Sequence, residues 1–442
     1  MSKNSQRPKG YLGLLKQYPQ FRKLFTARAV SLLGDWLNLL ALLALLRELG
    51  MGNPQVLGGL FILKLLPNFL VSPIVGVVVD RYPRQMVMMV SDLIRFGLVL
   101  AFFLAPVFGS GATWFILSLT ALQAAASAFF EPAKASILPD LVHADDLAPA
   151  NALSALTWSV AYAVGSALGG LITFLVGWRL ALVLDAASYL VSAWLVLSIR
   201  PVVTKEHDSG VKKDPGFFGL SDLAEVWRFL RHKGEIVYTM LLKSAWAMSG
   251  AIPLLLTLYG ERKYNFGGRP DIGTAYLFAC RAIGTGLGPV IGERIFPRHR
   301  RGLNQAIWWS LGFGSVFYMT FGTLNNPYFA GMAVVLAHIG GSIVWVFSTI
   351  RLQQIVPPRF RGRVFATEMG LATLMISLSS WGTGWLANSA GLPLSSLAFL
   401  LGGLLGVNTL VFWSIGFGLL RLHKPDSENR DGVKLNMARS NE

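Results

Sequence analysis

Hydrophobic and polar positions alternate along this chain in long blocks and not at the short periods of a soluble fold. Apolar stretches occupy residues 22–46, 54–79, 86–106, 111–133, 150–176, 178–199, 236–260, 271–295, 303–324, 328–356, 364–388 and 393–420. Each is close to the ~20 residues a helix needs to cross a bilayer, so the pattern predicts an all-α membrane protein of twelve transmembrane helices. One polar gap, residues 200–235, is much longer than the rest and divides the blocks six and six. It holds Lys205-Glu206-His207-Asp208 and a breaker, Lys212-Lys213-Asp214-Pro215-Gly216. Beyond it Phe217, Leu220, Leu223, Trp227 and Leu230 recur at helical spacing, with Asp222, Glu225, Arg228 and Arg231 between them. That spacing predicts an amphipathic helix on the membrane surface, and Tyr11, Leu14, Leu15 and Tyr18 predict a shorter one before the first span. The expected organisation is a six-helix bundle over 1–199, a cytoplasmic linker over 200–235, a second bundle over 236–424 and a disordered polar tail over 425–442.

The 39 Lys and Arg residues set the orientation. If the N-terminus is cytoplasmic, the outer side receives only Arg47, Arg179, Arg262, Lys263 and Arg269, and the spans hold Arg28, Lys64, Arg95, Lys243 and Arg281. All others, Arg351 among them, fall in gaps on the inner side. This is the positive-inside bias, and it puts both termini in the cytoplasm. Only 14% of residues are charged, against about 25% in soluble domains. The net charge of +16 flanks spans on one face and meets anionic headgroups there, so nucleic acid is excluded as a partner. The single Cys280 excludes a disulfide framework or a thiolate metal cage. No His/Cys/Asp cluster has metal spacing, and neither a phosphate-binding Gly-rich loop nor a Gly-x-Ser-x-Gly elbow is present. An enzyme is therefore not expected, nor a metal or cofactor, and ATP cannot drive the chain directly.

The second apolar block runs into Gly76-x-x-x-Asp80-Arg81-x-x-Arg84, and the eighth into a weaker echo, Glu293-Arg294. A Gly near a helix end lets a neighbouring helix approach, and the carboxylate beside it can pair with cations or a helix N-terminus across an interface. The loop after span 2 resembles the signature loop of the major facilitator superfamily. Further stretches narrow the resemblance: Ser31-Leu-Leu-Gly34-Asp35-Trp36; Phe129-Phe130-Glu131-Pro132-Ala133-Lys134; Ala150-Asn151-Ala152-Leu153; and Val356-Pro357-Pro358-Arg-Phe-Arg361-Gly362-Arg363. Together they look like the branch of siderophore exporters of the enterobactin type and macrolide-efflux pumps, with a neighbouring similarity to lysophospholipid transporters. Gly165-Ser166-Ala-Leu-Gly169-Gly170 is similar to the antiporter motif Gly-Pro-x-x-Gly-Gly, with Ser166 in the proline slot. Those glycines also serve tight helix packing.

Charges within the spans mark candidate function, since each ionised group at mid-bilayer costs roughly 2.5–3.5 kcal/mol and must find a partner or water. They are Arg28, Asp35, Lys64, Asp92, Arg95, Asp185, Lys243 and Arg281, joined by His338. Arg28 and Asp35, two helical turns apart, share a face. Asp35 is the candidate proton carrier, as a buried carboxyl can be tuned to bind a proton. Lys243 and Arg281 suit an anionic or zwitterionic substrate, and Trp36, Trp158, Tyr162, Trp246 and Trp345 are candidate walls for an amphipathic one. The expected cytoplasmic gate is Gly76, Asp80, Arg81, Arg84, Glu131, Lys134, Glu293, Arg294, Arg361, Arg363 and Glu368. Glu131 and Lys134 are expected to lock to Asp80 and Arg363.

What these features imply is a monomeric secondary transporter in a bacterial-type inner membrane, working by alternating access. It would be a proton-coupled exporter of an amphipathic small molecule, in contact with protons and membrane lipids. A lysophospholipid transporter is the alternative reading. A receptor or scaffold without transport is a third, which would leave the gate motif without a task.

Overall fold

The computed structural model describes residues 10–143, 146–200, 228–231, 233–264, 266, 270–297 and 300–422. Its elements are α-helical, with short 3-10 turns. They are α1 (Gly10–Gln17), α2 (Pro19–Glu48), α3 (Pro54–Arg81), α4 (Arg84–Ala101), α5 (Ala112–Ser127), α6 (Phe130–Ile137) and α7 (Leu147–Leu197). After the gap come α8 (Gly234–Ala247), α9 (Ile252–Arg262), α10 (Pro270–Ile295), α11 (Arg300–Thr323), α12 (Pro327–Ile355), α13 (Pro358–Asn388) and α14 (Leu394–Leu422). Several starts follow directly from sequence. Pro19, Pro54, Pro327 and Pro358 each open a helix, where the missing N–H is no loss and φ is already helical. Asn53 Oδ1 accepts from Val56 N at 2.9 Å and Asn326 Oδ1 from Tyr328 N at 2.9 Å, capping two of those ends.

Among the described residues, eight helical segments are long and apolar enough to cross a membrane. Each of the expected apolar blocks lies on helix, but three are reshaped. The 111–133 block breaks between α5 and α6, where Pro132 cannot bond back to Ala128. The 236–260 block breaks between α8 and α9, because Pro253 cannot bond back to Ser249. There Ser249 Oγ donates instead to Leu401 O at 2.8 Å, and Ala251 N donates to Ser379 Oγ at 3.1 Å. The third, 86–106, ends as a 3-10 segment that turns at Gly109, φ 51°. The two arms of α7 meet at Gly177, φ 83°, the one residue that reverses the chain. The expected linker helix falls almost wholly outside the described residues, as does the tail. Its last apolar residue, Leu230, is buried against Ile236, Leu352 and Val364.

Helices α2 to α7 pack chiefly on one another, as do α8 to α14, and two seams join the groups: α3 with α13, and the first arm of α7 with α10. The seams need glycine. A Cβ on Gly58 would sit 2.8 Å from Ser380 O, one on Gly384 2.7 Å from Pro54 O, and one on Gly170 3.1 Å from Ala275 Cα. These contacts lie toward the end of the molecule that carries Arg47. There one buried core runs through both groups, from Leu39–Leu46 and Leu57–Phe61 to Leu254–Leu258 and Leu397–Leu405. Toward the Arg81 end the core divides. One cluster holds Leu14, Phe21, Val79, Met88 and Phe130; a separate one holds Ile236, Met240, Leu352 and Val364. The groups are thus fused at one end and parted at the other.

Candidate functional site

The in-span charges of the first group converge at mid-depth. Asp35 lies halfway along α2, its side chain 35% exposed. Tyr189 on the second arm of α7 donates to Asp35 Oδ1 at 2.6 Å. Arg28 Nη1 and Arg95 Nη1 each stand 3.7 Å from the carboxylate. Arg95, 1% exposed, is held by contact with Asp92 on the next turn of α4 and by the Tyr189 ring, 4.3 Å below its guanidinium. Gln123 on α5 donates to the Tyr189 hydroxyl at 3.2 Å. Toward the Arg81 end the chain of charge continues. Arg28 Nε meets Glu131 Oε1 at 2.5 Å, and Lys134 Nζ meets Glu131 Oε2 at 2.6 Å. A shallow recess, bounded by Phe21, Phe25, Arg28, Lys134, Ser154 and Thr157, opens beside them.

In the other direction, Lys64 on α3 donates to Asn38 Oδ1 at 2.8 Å, and Asn38 Nδ2 donates to Asp185 Oδ2 at 2.8 Å. Asn38 and Asp185 are fully buried. Gly34 makes this possible, since a Cβ there would stand 2.7 Å from Asp185 Oδ1 and 3.0 Å from Ser188 Cβ. Four cations (Arg28, Lys64, Arg95, Lys134) thus face four anions (Asp35, Asp92, Asp185, Glu131). A balanced set limits the desolvation cost that any one of these charges would carry alone.

The second group has two smaller constellations. Lys243 on α8 pairs with Glu368 on α13 at 2.9 Å, both buried, over the Trp345 ring at 5.1 Å. Arg281 Nε donates to His338 Nε2 at 2.9 Å. An arginine can only donate, so the ring proton of His338 sits on Nδ1, 2.7 Å from the Tyr318 hydroxyl. The Trp246 ring stands edge-on to His338 at 6.2 Å. The side chains of Trp158 and Tyr162 lie outside the described residues.

Several expectations change on contact with the structure. Glu368 is not at the Arg81 end with the gate; it is buried against Lys243 because it faces α8 one turn deeper. Arg351, read from sequence as an inner-gap cation, is 2% exposed inside α12. There it pairs with Glu235 at 3.3 Å and covers the Tyr238 ring at 5.4 Å. Gly76 was expected to admit a neighbouring helix, yet a Cβ there would meet nothing within 4 Å among the described residues, since the groups are parted at that end. Arg84 pairs with Asp140 of its own group at 2.9 Å, and Arg81, Glu293 and Arg294 are exposed. Glu131 engages both Arg28 and Lys134. The side chains of Asp80, Arg361 and Arg363 lie outside the described residues. Gly165 and Gly169 seat α7 on Trp36 and Leu37 of α2, and Gly170 lies on the α10 seam.

At the fused end, Arg47 Nη2 meets Glu261 Oε1 at 2.9 Å, joining α2 to α9 across the groups. Asn388 donates to Gln55 at 3.4 Å in the same layer. Sequence reasoning missed Asn38, Tyr189, Gln123 and Tyr318. A signal existed for two of them: Asn38 stands three residues after Asp35 on the same helix face, and Tyr189 one turn after Asp185.

A sequence profile of the Major Facilitator Superfamily matches residues 24–380. A candidate bacilysin exporter, BacE, of Bacillus subtilis (strain 168) is 25% identical over 368 residues, 82% of this chain and 87% of that protein. Macrolide efflux protein A of Streptococcus pyogenes is 23% identical over 367 residues, 81% of this chain and 87% of that protein. Among solved structures, a bacterial homologue of the iron transporter ferroportin, in its inward-facing state, superposes with TM-score 0.65 at 17% identity, covering 90% and 98% of the two chains.

Proposed function

The chain belongs to the Major Facilitator Superfamily of transporters, and from that premise we propose that it is a proton-coupled exporter of an amphipathic small molecule. It is a multi-pass integral membrane protein. On our reading it crosses a bacterial-type inner membrane twelve times as two six-helix bundles, over 1–199 and 236–424, with both termini in the cytoplasm, and it works as a monomer. The Arg47 end is then outer and the Arg81 end cytoplasmic, so the conformation described is closed outside and open inside. Two relatives that cover most of the chain carry exporter names, which supports outward transport.

The observation that carries the coupling is the placement of Asp35, a mid-depth carboxylate one-third exposed and in contact with two arginines. A substrate entering from the cytoplasm meets Asp35 ionised and held by Tyr189, Arg28 and Arg95. A proton arriving in the outward-open state removes one anion from a set of four against four. Release of that proton to the cytoplasm restores the contacts of Asp35 with Arg28 and Arg95 that belong to the inward-open state and so favours the return, while the substrate has left on the outer side. Arg81, Arg84 and the neighbouring Asp80 close the cytoplasmic side in the alternate state. Arg281, partly exposed, faces an anionic or zwitterionic group of the substrate, while Lys243 is held by Glu368. The test is proteoliposomes followed for lumenal pH with a panel of macrolides, siderophores and lysophospholipids. Substrate-evoked proton flux, lost in Asp35→Asn while that variant keeps its fold, is the expected result. Full gradient-driven transport in Asp35→Asn removes the coupling role, and lysophospholipid movement without a pH response replaces the exporter by a lipid transporter.

A further inference from the structure

Asp185 differs from every other acid of the balanced set. Asp35, Asp92 and Glu131 each contact at least one cation directly, whereas the described contacts of Asp185 are with a neutral amide. Its Oδ2 accepts from Asn38 Nδ2 at 2.8 Å, and its Oδ1, fully buried, has no hydrogen-bond donor among the described residues; Asp92 Oδ2 also has none there, but Asp92 is in contact with Arg95. The amide orientation is fixed from its far side. Lys64 can only donate, so the Asn38 oxygen must face Lys64 and the Asn38 nitrogen must face Asp185. The amide therefore stands between an ammonium and a carboxyl with its dipole aligned to both.

The charged and titratable groups in electrostatic reach of Asp185 are Asp35 on α2, Lys64 on α3, Arg95 on α4 and Tyr189 one turn along on α7; behind them stand Arg28 and Asp92, which contact Asp35 and Arg95 respectively. Lys64 is in electrostatic reach of both Asp35 and Asp185, and Asp35 is in reach of Asp185. Two carboxyls within reach of one ammonium, one of them fully buried, repel each other's charge, and the buried one, Asp185, carries the greater desolvation cost when ionised. Asp35 has donors for its charge in this conformation. Asp185 has an oxygen with none among the described residues.

We propose that Asp185 is a second proton-binding carboxyl of the transport cycle, distinct from Asp35 and tied to Lys64 through the Asn38 amide. Binding places the proton on Oδ1, in the space that Gly34 leaves open; release leaves a carboxylate whose charge Lys64 offsets through the amide. This rests on the proton-coupled reading above, and its test does not depend on that reading. The protein in phosphatidylglycerol/phosphatidylethanolamine vesicles is titrated by infrared difference spectroscopy, which reports the C=O stretch of protonated carboxyls without any substrate. The expected result is a buried-carboxyl band that titrates in the wild type, persists in Asp35→Asn and disappears in Asp185→Asn. Asp185→Glu should restore it at a shifted frequency. Asn38→Leu keeps Asp185 but cuts its tie to Lys64, so the band should titrate at a different pH; this variant decides the matter if Asp185→Asn does not fold. Spectra of Asp185→Asn that superpose on the wild type, or an Asn38→Leu titration unchanged from it, overturn the proposal. Absence of substrate-evoked proton flux in the wild type overturns the coupled-exporter reading instead, and the infrared titration separates the two failures.

Discussion

The ion pair between Arg47 and Glu261 is the described charge contact that spans both helix groups at the fused end, and removing it should open that end. The side chains are 29% and 13% exposed and 2.9 Å apart. A fully exposed pair contributes about 0.2–1 kcal/mol, and removal of one member of a fully buried pair costs about 3–5 kcal/mol. A pair between those limits, present in only one of two conformations, should bias them by about 1–2 kcal/mol. At 1.4 kcal/mol per tenfold, Arg47→Ala should raise the outward-open to inward-open ratio by about 5- to 30-fold. The assay is double electron–electron resonance on a Cys280→Ala background. The labels go on Phe108 and Tyr328, which are exposed on opposite groups at that end. Arg47→Ala and Glu261→Ala should both add a longer-distance population, and the swap Arg47→Glu/Glu261→Arg should bring part of the short one back. Distance distributions unchanged in both single variants refute the argument, as does a swap no better than either.

Other outcomes follow from the same geometry. Lys243→Met alone should cost about 3–5 kcal/mol by stranding Glu368, and Lys243→Met/Glu368→Met should recover most of it; the thermal unfolding midpoint in detergent reads both. Gly384→Val drives a side chain into Pro54 O, 2.7 Å from where its Cβ would stand. Overpacking of about 1–3 kcal/mol at the seam should shift the resonance distances the same way as Arg47→Ala. Trp178→Phe removes the 2.7 Å bond from the indole to Glu48, a charge-assisted bond of about 1.5–3 kcal/mol, and should lower the unfolding midpoint without changing the distance distribution.

Element positions were readable because lipid demands runs of apolar residues, a pattern that is local in sequence. The breaks at Pro132 and Pro253 were less so: the apolar runs continue through them, and only the missing backbone donor ends the helix. The pairing of charges was not readable. Arg28 and Asp35 share a face of one helix, but Lys64 meets Asp185 only through Asn38, an uncharged residue that hydropathy passes over. Arg351 lies about one turn from the end of its helix, where a few ångströms of depth decide between gate and core; Glu368 is one turn into the apolar block that begins at 364, but its helix opens at Pro358 and carries it nearly three turns in. Gly76 shows a different limit, since its motif describes a contact of one conformation and the structure holds another.

The eight mid-depth charges of the first group lie between Arg28 and Asp185, with Tyr189 following four residues later. A ribosome therefore finishes all of them before it starts the second group. Gly177 allows no linker between the two arms of α7, so they must leave the translocon as one hairpin. That hairpin brings Asp185 to Asn38 and Lys64, which are already in the membrane. The in-span charges of the first group can thus find one another during synthesis, and the second group docks onto a partner whose costly charges are already matched.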